Sequence, residues 1–208
     1  MYAIITDGSI SKYVSHPKPL VIGDVQYPAR IFSAWTASEL AAIGIIEVTF
    51  DDSNKKDKKW YTNTNQTYTY DASAGTVTAT YGTATAKAHA DTLFTAQDET
   101  DGLGTEGEVK VEGLKTVLIR TVKAQAEGLL NQTDWYITRK AEKNIAIPSA
   151  ITTWRDGIRT KQAAMETSIT NASNTPALET LYTYVNTADE GDPKVMERPL
   201  GEFPELGS

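Results

Sequence analysis

Five side chains between residues 134 and 159 could bind another protein through aromatic burial and ion pairing. They are Asp134, Trp135, Trp154, Arg155 and Arg159. Large aromatic side chains contribute much of the energy of protein interfaces, and charged side chains fix the orientation of the partner. We therefore predict the two tryptophans as anchors for a partner and the three charged residues as orienting groups. The same five residues would suit the internal core and ion pairs of a helical domain, and the sequence leaves both interpretations open.

The flanking residues predict two helices that position these side chains. Thr133 before Asp134 is typical of a helix start with a capping hydroxyl, and Pro148 suits the opening of the next helix because it has no N–H to donate. One face of that next helix carries apolar residues at helical spacing: Ile151, Trp154, Ile158, Met165 and Ile169. Arg155 and Arg159 lie four residues apart on an adjoining face and repel each other unless a carboxylate approaches. We predict Asp134 as that carboxylate.

Residues 129–159 carry a pattern with a known counterpart: Leu129-Leu130, Thr133-Asp134-Trp135, Pro148, Trp154-Arg155 and Ile158-Arg159. The pattern resembles the C-terminal motif of tailed-phage tail assembly chaperones, including tail fibre assembly proteins. That motif commonly runs Leu-Leu-x-x-Ser/Thr-Asp-Trp, a spacer, Pro, then Tyr-Arg-x-x-Leu-Arg. Here Trp154 replaces the usual Tyr and Ile158 the usual Leu, and Phe203-Pro204 stands where the family often has Trp-Pro. The resemblance covers 31 of 208 residues.

The resemblance implies a bacteriophage assembly factor that binds an unassembled tail or tail-fibre protein in the host cytoplasm, without catalysis. Its action would be to cover apolar or strand-edge surface until the partner oligomerises. The alternative is a permanent virion protein, such as a tail, baseplate or fibre-attachment subunit, located in the virion tail. Either protein could form a homo-oligomer through its helices.

The side chains used in catalysis are few and scattered. The chain has no cysteine, and its two histidines, His16 and His89, lie 73 positions apart. Neighbouring acids such as Asp51 and Asp52 point to opposite faces of a strand and do not form an acid–base pair by themselves. The acidic, glycine-rich residues 98–108 do not follow the ligand order of an EF-hand calcium loop. We predict no enzymatic activity, no cofactor and no metal site.

Composition narrows the class of partner. The chain is 40% hydrophobic and 23% charged, as in globular proteins, and its net charge of -7 disfavours a nucleic-acid partner. No run approaches the ~18 apolar residues that a membrane span requires, and the N-terminus lacks the basic region of a secretory signal. We therefore predict no membrane partner. The lysine-rich run 55–59 is interpreted as a solvated hairpin tip, with phosphate binding as the alternative.

The spacing of apolar residues, together with the glycines and prolines that interrupt it, predicts an α+β fold. Its N-terminal domain is antiparallel and β-rich with a short helix, and its C-terminal domain is an α-helical hairpin or bundle. Two hairpins are predicted near the N-terminus, residues 2–6 with 10–14 and residues 20–22 with 25–27, and Thr36 with Glu39 predicts a capped short helix. Further helices are predicted over residues 84–97, 109–131 and about 174–186. Tyrosines in residues 60–85 could pair across strands or form a platform for carbohydrate. The predicted divisions are a β-rich domain (1–84), a helix and acidic hinge (85–108), a helical domain (109–186), and a proline-containing segment that is disordered or ordered against a partner (187–208).

Overall fold

The computed structural model describes residues 1–207 and divides the chain into two compact units, Met1–Thr85 and Ala86–Ser208. The first unit is rich in strands and the second in helices, which confirms the predicted α+β class. None of the helices in residues 1–207 combines the length and the apolarity that crossing a membrane requires.

The first unit contains eight strands and two short helices. In chain order they are β1 (Tyr2–Thr6), β2 (Ser9–Val14), β3 (Leu20–Ile22), β4 (Val25–Tyr27), α1 (Ile31–Ala34), α2 (Ala37–Ala42), β5 (Ile45–Asp51), β6 (Tyr61–Thr62), β7 (Thr67–Asp71) and β8 (Thr76–Thr80). Both predicted hairpins, β1 with β2 and β3 with β4, are confirmed. The predicted capping box is also present, because the Thr36 hydroxyl accepts from the Glu39 N–H and the Glu39 carboxylate accepts from the Thr36 N–H.

One strand pair contradicts the prediction of an antiparallel domain. Five strands form a sheet in the order β2-β1-β5-β8-β7, and β5 runs parallel to β8, with Val48 opposite Val77. The other pairs in this sheet are antiparallel. Residues 52–66 connect β5 to the β7–β8 hairpin, which adds to the sheet through β8. Alternation along a single strand is the same for either direction of its neighbour, so the sequence pattern could not show this pairing.

The sheet curls and has a core on each face. Tyr13 of β2 and Tyr68 of β7, at opposite ends of the strand order, have ring centroids only 4.7 Å apart. The concave face contains buried Ala3, Val48, Val77 and Ala79. The other face packs against α1, α2 and the β3–β4 hairpin through a second cluster: Ile4, Val14, Leu20, Ile31, Phe32, Leu40 and Ile45.

The second unit contains five helices and four short strands. They are β10 (Thr92–Leu93), α3 (Ala96–Thr100), β11 (Val109–Val111), α4 (Leu114–Asn131), α5 (Asp134–Lys143), α6 (Ser149–Asn171), α7 (Thr175–Tyr182), β12 (Val185–Asn186) and β13 (Met196–Glu197). The strand β9 (Thr85–Ala86) spans the point in the sequence where the units divide.

Three boundaries in this unit differ from the sequence predictions. We predicted a helix over residues 84–97, but threonines at 85 and 92 lie in short strands and only Ala96 onward is helical. The predicted helix 109–131 begins at Leu114, because residues 109–111 form strand β11 with Thr92 and Leu93. The last helix ends at Tyr182 rather than near Asn186.

The helices α4 and α6 form the predicted antiparallel hairpin. The start of α4 meets the end of α6, where Lys115 Nζ donates to the Thr170 carbonyl at 2.7 Å. The end of α4 meets the start of α6, where Arg155 donates to the Leu130 carbonyl at 2.8 Å. All five residues of the predicted α6 stripe are buried. The two long helices therefore bury their apolar faces against each other, with α5 in the connection.

The C-terminal segment packs against the helices of its own unit. Leu200 is buried and its N–H donates to the Leu181 carbonyl at 3.0 Å. Phe203 packs against the cluster formed by Ala126, Trp154 and Ile158. We predicted that residues 187–208 are disordered or ordered against a partner, whereas residues 200–204 make these intramolecular contacts because the segment carries enough apolar surface to bury.

Candidate partner-binding site

A buried arginine ties the start of α5 to the start of α6. Arg155 is only 6% exposed, and its Nη1 donates to the Leu130 carbonyl at 2.8 Å and to Thr133 Oγ1 at 2.7 Å. Its Nη2 lies 2.8 Å from Asp134 Oδ1, which confirms the predicted role of Asp134 as counter-ion. One guanidinium thus holds three consecutive features of the chain: the last turn of α4, the residue before α5 and the first residue of α5.

The hydroxyl of Thr133 does not cap α5 as predicted. The helix does begin at Asp134, but Thr133 makes no side-chain capping bond. Its hydroxyl donates instead to the Leu130 carbonyl at 3.1 Å and accepts from Arg155. Because Thr133 is only 2% exposed and faces a buried cation, its oxygen satisfies the guanidinium rather than the helix N-terminus.

Trp154 belongs to the interior of the helical unit in this structure. It is 7% exposed and packs with Ala126, Ile158 and Phe203. Its indole Nε1 donates to the Pro204 carbonyl at 2.8 Å. The Phe203-Pro204 pair therefore contacts Trp154, the aromatic residue before Arg155.

Trp135 lies on the surface, in contrast to Trp154. It is 51% exposed and stacks on Tyr136, with ring centroids 3.7 Å apart. The guanidinium of Arg139 lies 4.9 Å from the centroid of Trp135 and 5.0 Å from that of Tyr136. Aromatic rings and a guanidinium in this arrangement form a rigid, amphipathic surface that suits protein recognition.

Arg159 lies apart from the Arg155 cluster. Its Nη1 forms an ion pair at 3.0 Å with Asp156, and both side chains are more than half exposed. Asp134 therefore pairs with Arg155 and not with Arg159. Exposed pairs of this kind contribute little to stability, so Arg159 remains available for an intermolecular contact.

Sequence reasoning missed Tyr136 and Arg139 as members of the exposed aromatic group. The signal was present, because Arg139 follows Trp135 by four residues and Tyr136 by three, and residues at these intervals are neighbours on a helix. The motif drew attention to the tryptophan and to the later arginines, and it gave no reason to examine the residues immediately after Trp135.

The two histidines lie in different units of the chain. His16 is in the first unit, where it contacts the Ser15 hydroxyl at 3.0 Å, and His89 is in the second. Within residues 1–207, no group of three or more metal-ligating side chains is placed to hold a metal ion. Tyr68 and Tyr70, two of the tyrosines in residues 60–85 considered for a carbohydrate platform, pack against the concave core.

The lysine-rich run is not the tip of a hairpin, which corrects the prediction. The strands on either side of it, β5 and β6, belong to different sheets, so the run lies in a long connection. Lys56 and Lys59 lie over the rings of Tyr61 and Trp60, each 4.5 Å from the centroid, and Lys55 pairs with Asp52 at 3.0 Å. These lysines neutralise or cover neighbouring side chains of their own unit.

The strongest candidate site in the described chain is therefore the one at the start of α5, in which a buried clamp formed by Arg155 supports an exposed aromatic group around Trp135.

Comparisons of the chain with protein-family models, with curated proteins and with solved structures found no match.

Proposed function

We propose that this chain is a bacteriophage tail or tail-fibre assembly chaperone, which binds an unassembled tail component and performs no catalysis. One observation carries the proposal: Arg155 pairs with Asp134 and so fixes the start of the helix from which the adjacent, half-exposed Trp135 projects. The resemblance at residues 129–159 supplies the class of partner. A preorganised exposed tryptophan supplies a means of binding it.

The division of the motif into buried and exposed parts suits this function. A binding surface loses less entropy on association when its own side chains are already held in place. Arg155 and Thr133 are buried and fix the start of α5, and Trp135 and Tyr136, which belong to its first turn, stack on each other. In this proposal Trp154 acts as a core residue that supports α6, and Arg159 lies at the edge of the contact.

Co-expression with the candidate tail or tail-fibre protein tests the proposal. The chain is expected to raise the yield of soluble, correctly oligomerised partner, and Trp135→Ala is expected to remove most of that gain. Trp35→Ala is a matched control, since Trp35 is a partly exposed tryptophan of the first unit. An unchanged yield of soluble partner with and without the wild-type chain would contradict the proposal.

A permanent virion protein is the second candidate, and the separate β-rich unit favours it. Met1–Thr85 has its own curled sheet and its own cores, as expected for a module that docks onto a particle while the helices make other contacts. Mass spectrometry of purified particles distinguishes the two candidates. A stoichiometric copy number in mature virions supports the virion protein, and absence from virions supports the chaperone.

A further inference from the structure

Helix α5 places aromatic and cationic side chains together on one side while contributing no buried residue to its unit. At 3.6 residues per turn, five side chains fall on that side. They are Trp135, Tyr136, Arg139, Lys140 and Lys143, and we call them the α5 face. Trp135, Lys140 and Lys143 are exposed, and Tyr136 and Arg139 are half-buried.

The α5 face carries three cations, Arg139, Lys140 and Lys143. Among residues 1–207, no carboxylate forms an ion pair with Arg139, Lys140 or Lys143. Of the two acids on the same helix, Asp134 pairs with Arg155. Within residues 1–207, Glu142 forms no ion pair with any of the three cations. A chain with a net charge of -7 thus concentrates three unpaired positive charges on one short helix.

The guanidinium of Arg139 also has unused capacity for hydrogen bonds. Its Nε is shielded from solvent and has no acceptor among residues 1–207. The guanidinium carbon lies 4.9 Å from the ring centroid of Trp135 and 5.0 Å from that of Tyr136, and these ring contacts supply no hydrogen-bond acceptor to its N–H groups. Carboxylates, like phosphates, match a guanidinium in charge and in the geometry of two parallel hydrogen bonds.

We infer that the α5 face binds a short acidic segment of the protein partner, and this inference rests on the proposed function. Carboxylates of the segment meet Arg139, Lys140 and Lys143, and an apolar side chain of the segment packs on the exposed ring of Trp135. Charge complementarity selects this occupant, since unpaired cations and an exposed aromatic ring together match an acidic, partly apolar peptide.

The charge distribution favours a short acidic segment over an extended polyanion. Exposed charges are screened beyond a Debye length of roughly 8–10 Å at physiological salt, so three neighbouring cations act on a short segment. A nucleic acid extends much further and would meet an otherwise acidic molecule, where repulsion opposes binding. An acidic run of a second copy, such as residues 98–108, is the main competing occupant.

Fluorescence anisotropy with a defined peptide tests the inference on the full chain. The probe is a fluorescein-labelled helical peptide of Glu, Leu and Ala, and its counterpart has Gln in place of Glu. We expect the Glu peptide to bind more tightly than the Gln peptide, and added salt to weaken its binding. The double variant K140E/K143E is expected to weaken binding by about tenfold or more, because it reverses two charges that meet the carboxylates.

The control variant K12E/K18E changes the net charge by the same amount in the first unit, at two exposed lysines. It is expected to bind the Glu peptide within about twofold of the wild-type chain, because neither lysine belongs to the α5 face. Equal loss of binding in both double variants would overturn the inference. So would tighter binding to a single-stranded oligonucleotide or to anionic lipid vesicles, or a dimer in sedimentation that K140E/K143E abolishes.

Co-expression with the tail component separates this inference from the proposed function. If the wild-type chain and K140E/K143E keep the partner soluble equally well, Lys140 and Lys143 do not meet the partner and this inference fails, whereas the chaperone proposal stands because it depends on Trp135. If the wild-type chain has no effect on the partner, the chaperone proposal fails together with the identity of the occupant. Loss of the effect in K140E/K143E but not in K12E/K18E supports both.

Discussion

At the scale of single residues, Arg155 and Arg159 differ in role although they are four residues apart on one helix. Arg155 is buried and bonded to Leu130, Thr133 and Asp134, whereas Arg159 is exposed and pairs only with Asp156. The sequence predicted a carboxylate partner for this pair of arginines. Which arginine it would reach depended on how α4, α5 and α6 pack, and that is set by contacts distant in sequence.

Replacing the two arginines by methionine should separate these roles. Arg155→Met is expected to lower the free energy of unfolding by about 2–4 kcal/mol, because the buried Thr133 hydroxyl loses its donor and the Leu130 carbonyl loses one of its hydrogen bonds. Arg159→Met is expected to change it by less than about 0.5 kcal/mol, since its ion pair is exposed. Urea denaturation followed by circular dichroism measures both. Similar values for the two variants would contradict the buried clamp.

The two tryptophans of the motif should differ in the same way. Trp154→Ala is expected to lower the free energy of unfolding by about 3–5 kcal/mol, because it opens a cavity beside Ile158 and Phe203. Trp135→Ala is expected to change it by less than about 1 kcal/mol, because half of the side chain is already exposed. Thermal unfolding checks this contrast, and a large loss in Trp135→Ala would show that Trp135 is a core residue.

At the scale of elements, the start of α4 depends on a segment that precedes it by more than twenty residues. Gly113 provides no capping side chain, and Asp91 Oδ1 accepts from its N–H at 2.6 Å while Asp91 Oδ2 accepts from Thr116 Oγ1 at 2.8 Å. These bonds hold the pKa of Asp91 below its usual range. The backbone of Ala90 comes so close that a Cβ on Gly113 would lie 2.3 Å from its carbonyl carbon.

Two glycine-to-alanine substitutions in this region should have opposite effects. Gly113→Ala is expected to destabilise the chain by about 1–3 kcal/mol, because backbone atoms of Ala90 must move. Gly128→Ala, within α4, is expected to stabilise it by about 0.5–1 kcal/mol, since its Cβ would meet no atom within 4 Å and alanine favours the helix. Denaturation midpoints measure both changes. A stabilising Gly113→Ala would contradict the close approach.

At the scale of the whole molecule, the class of the fold followed from the sequence because periodicity reports which face of an element is buried. The stripe from Ile151 to Ile169, the capping box at Thr36 and the two N-terminal hairpins depend on local residues, and all were predicted correctly. Parallel pairing of β5 with β8 and the packing of Phe203 on Trp154 depend on distant residues. Local patterns carry little information about such contacts.

The response of the molecule to acid should follow from carboxylates with lowered pKa values in both units. Hydrogen bonds lower the pKa of Glu39 and Asp51 in the first unit and of Asp91, Asp98 and Glu112 in the second. A group whose pKa is lower in the folded state binds fewer protons there than in the unfolded chain. Its contribution to stability is present above the unfolded-state pKa and is lost as the pH falls through the folded-state value.

Asp98 offers the sharpest test, because the bond from Lys110, together with bonds from the N–H and hydroxyl of Thr95, lowers its pKa to about 2. We expect Asp98→Asn to have a lower urea midpoint than the wild-type chain at pH 7, with the gap narrowing as the pH falls below about 4 and closing near pH 2. Asp24→Asn, at an exposed turn, makes the same charge change and should show a smaller gap. A gap for Asp98→Asn that stays constant from pH 7 to pH 2 would mean that the loss comes from packing and not from the ionised carboxylate, since only the charged form accepts all three bonds.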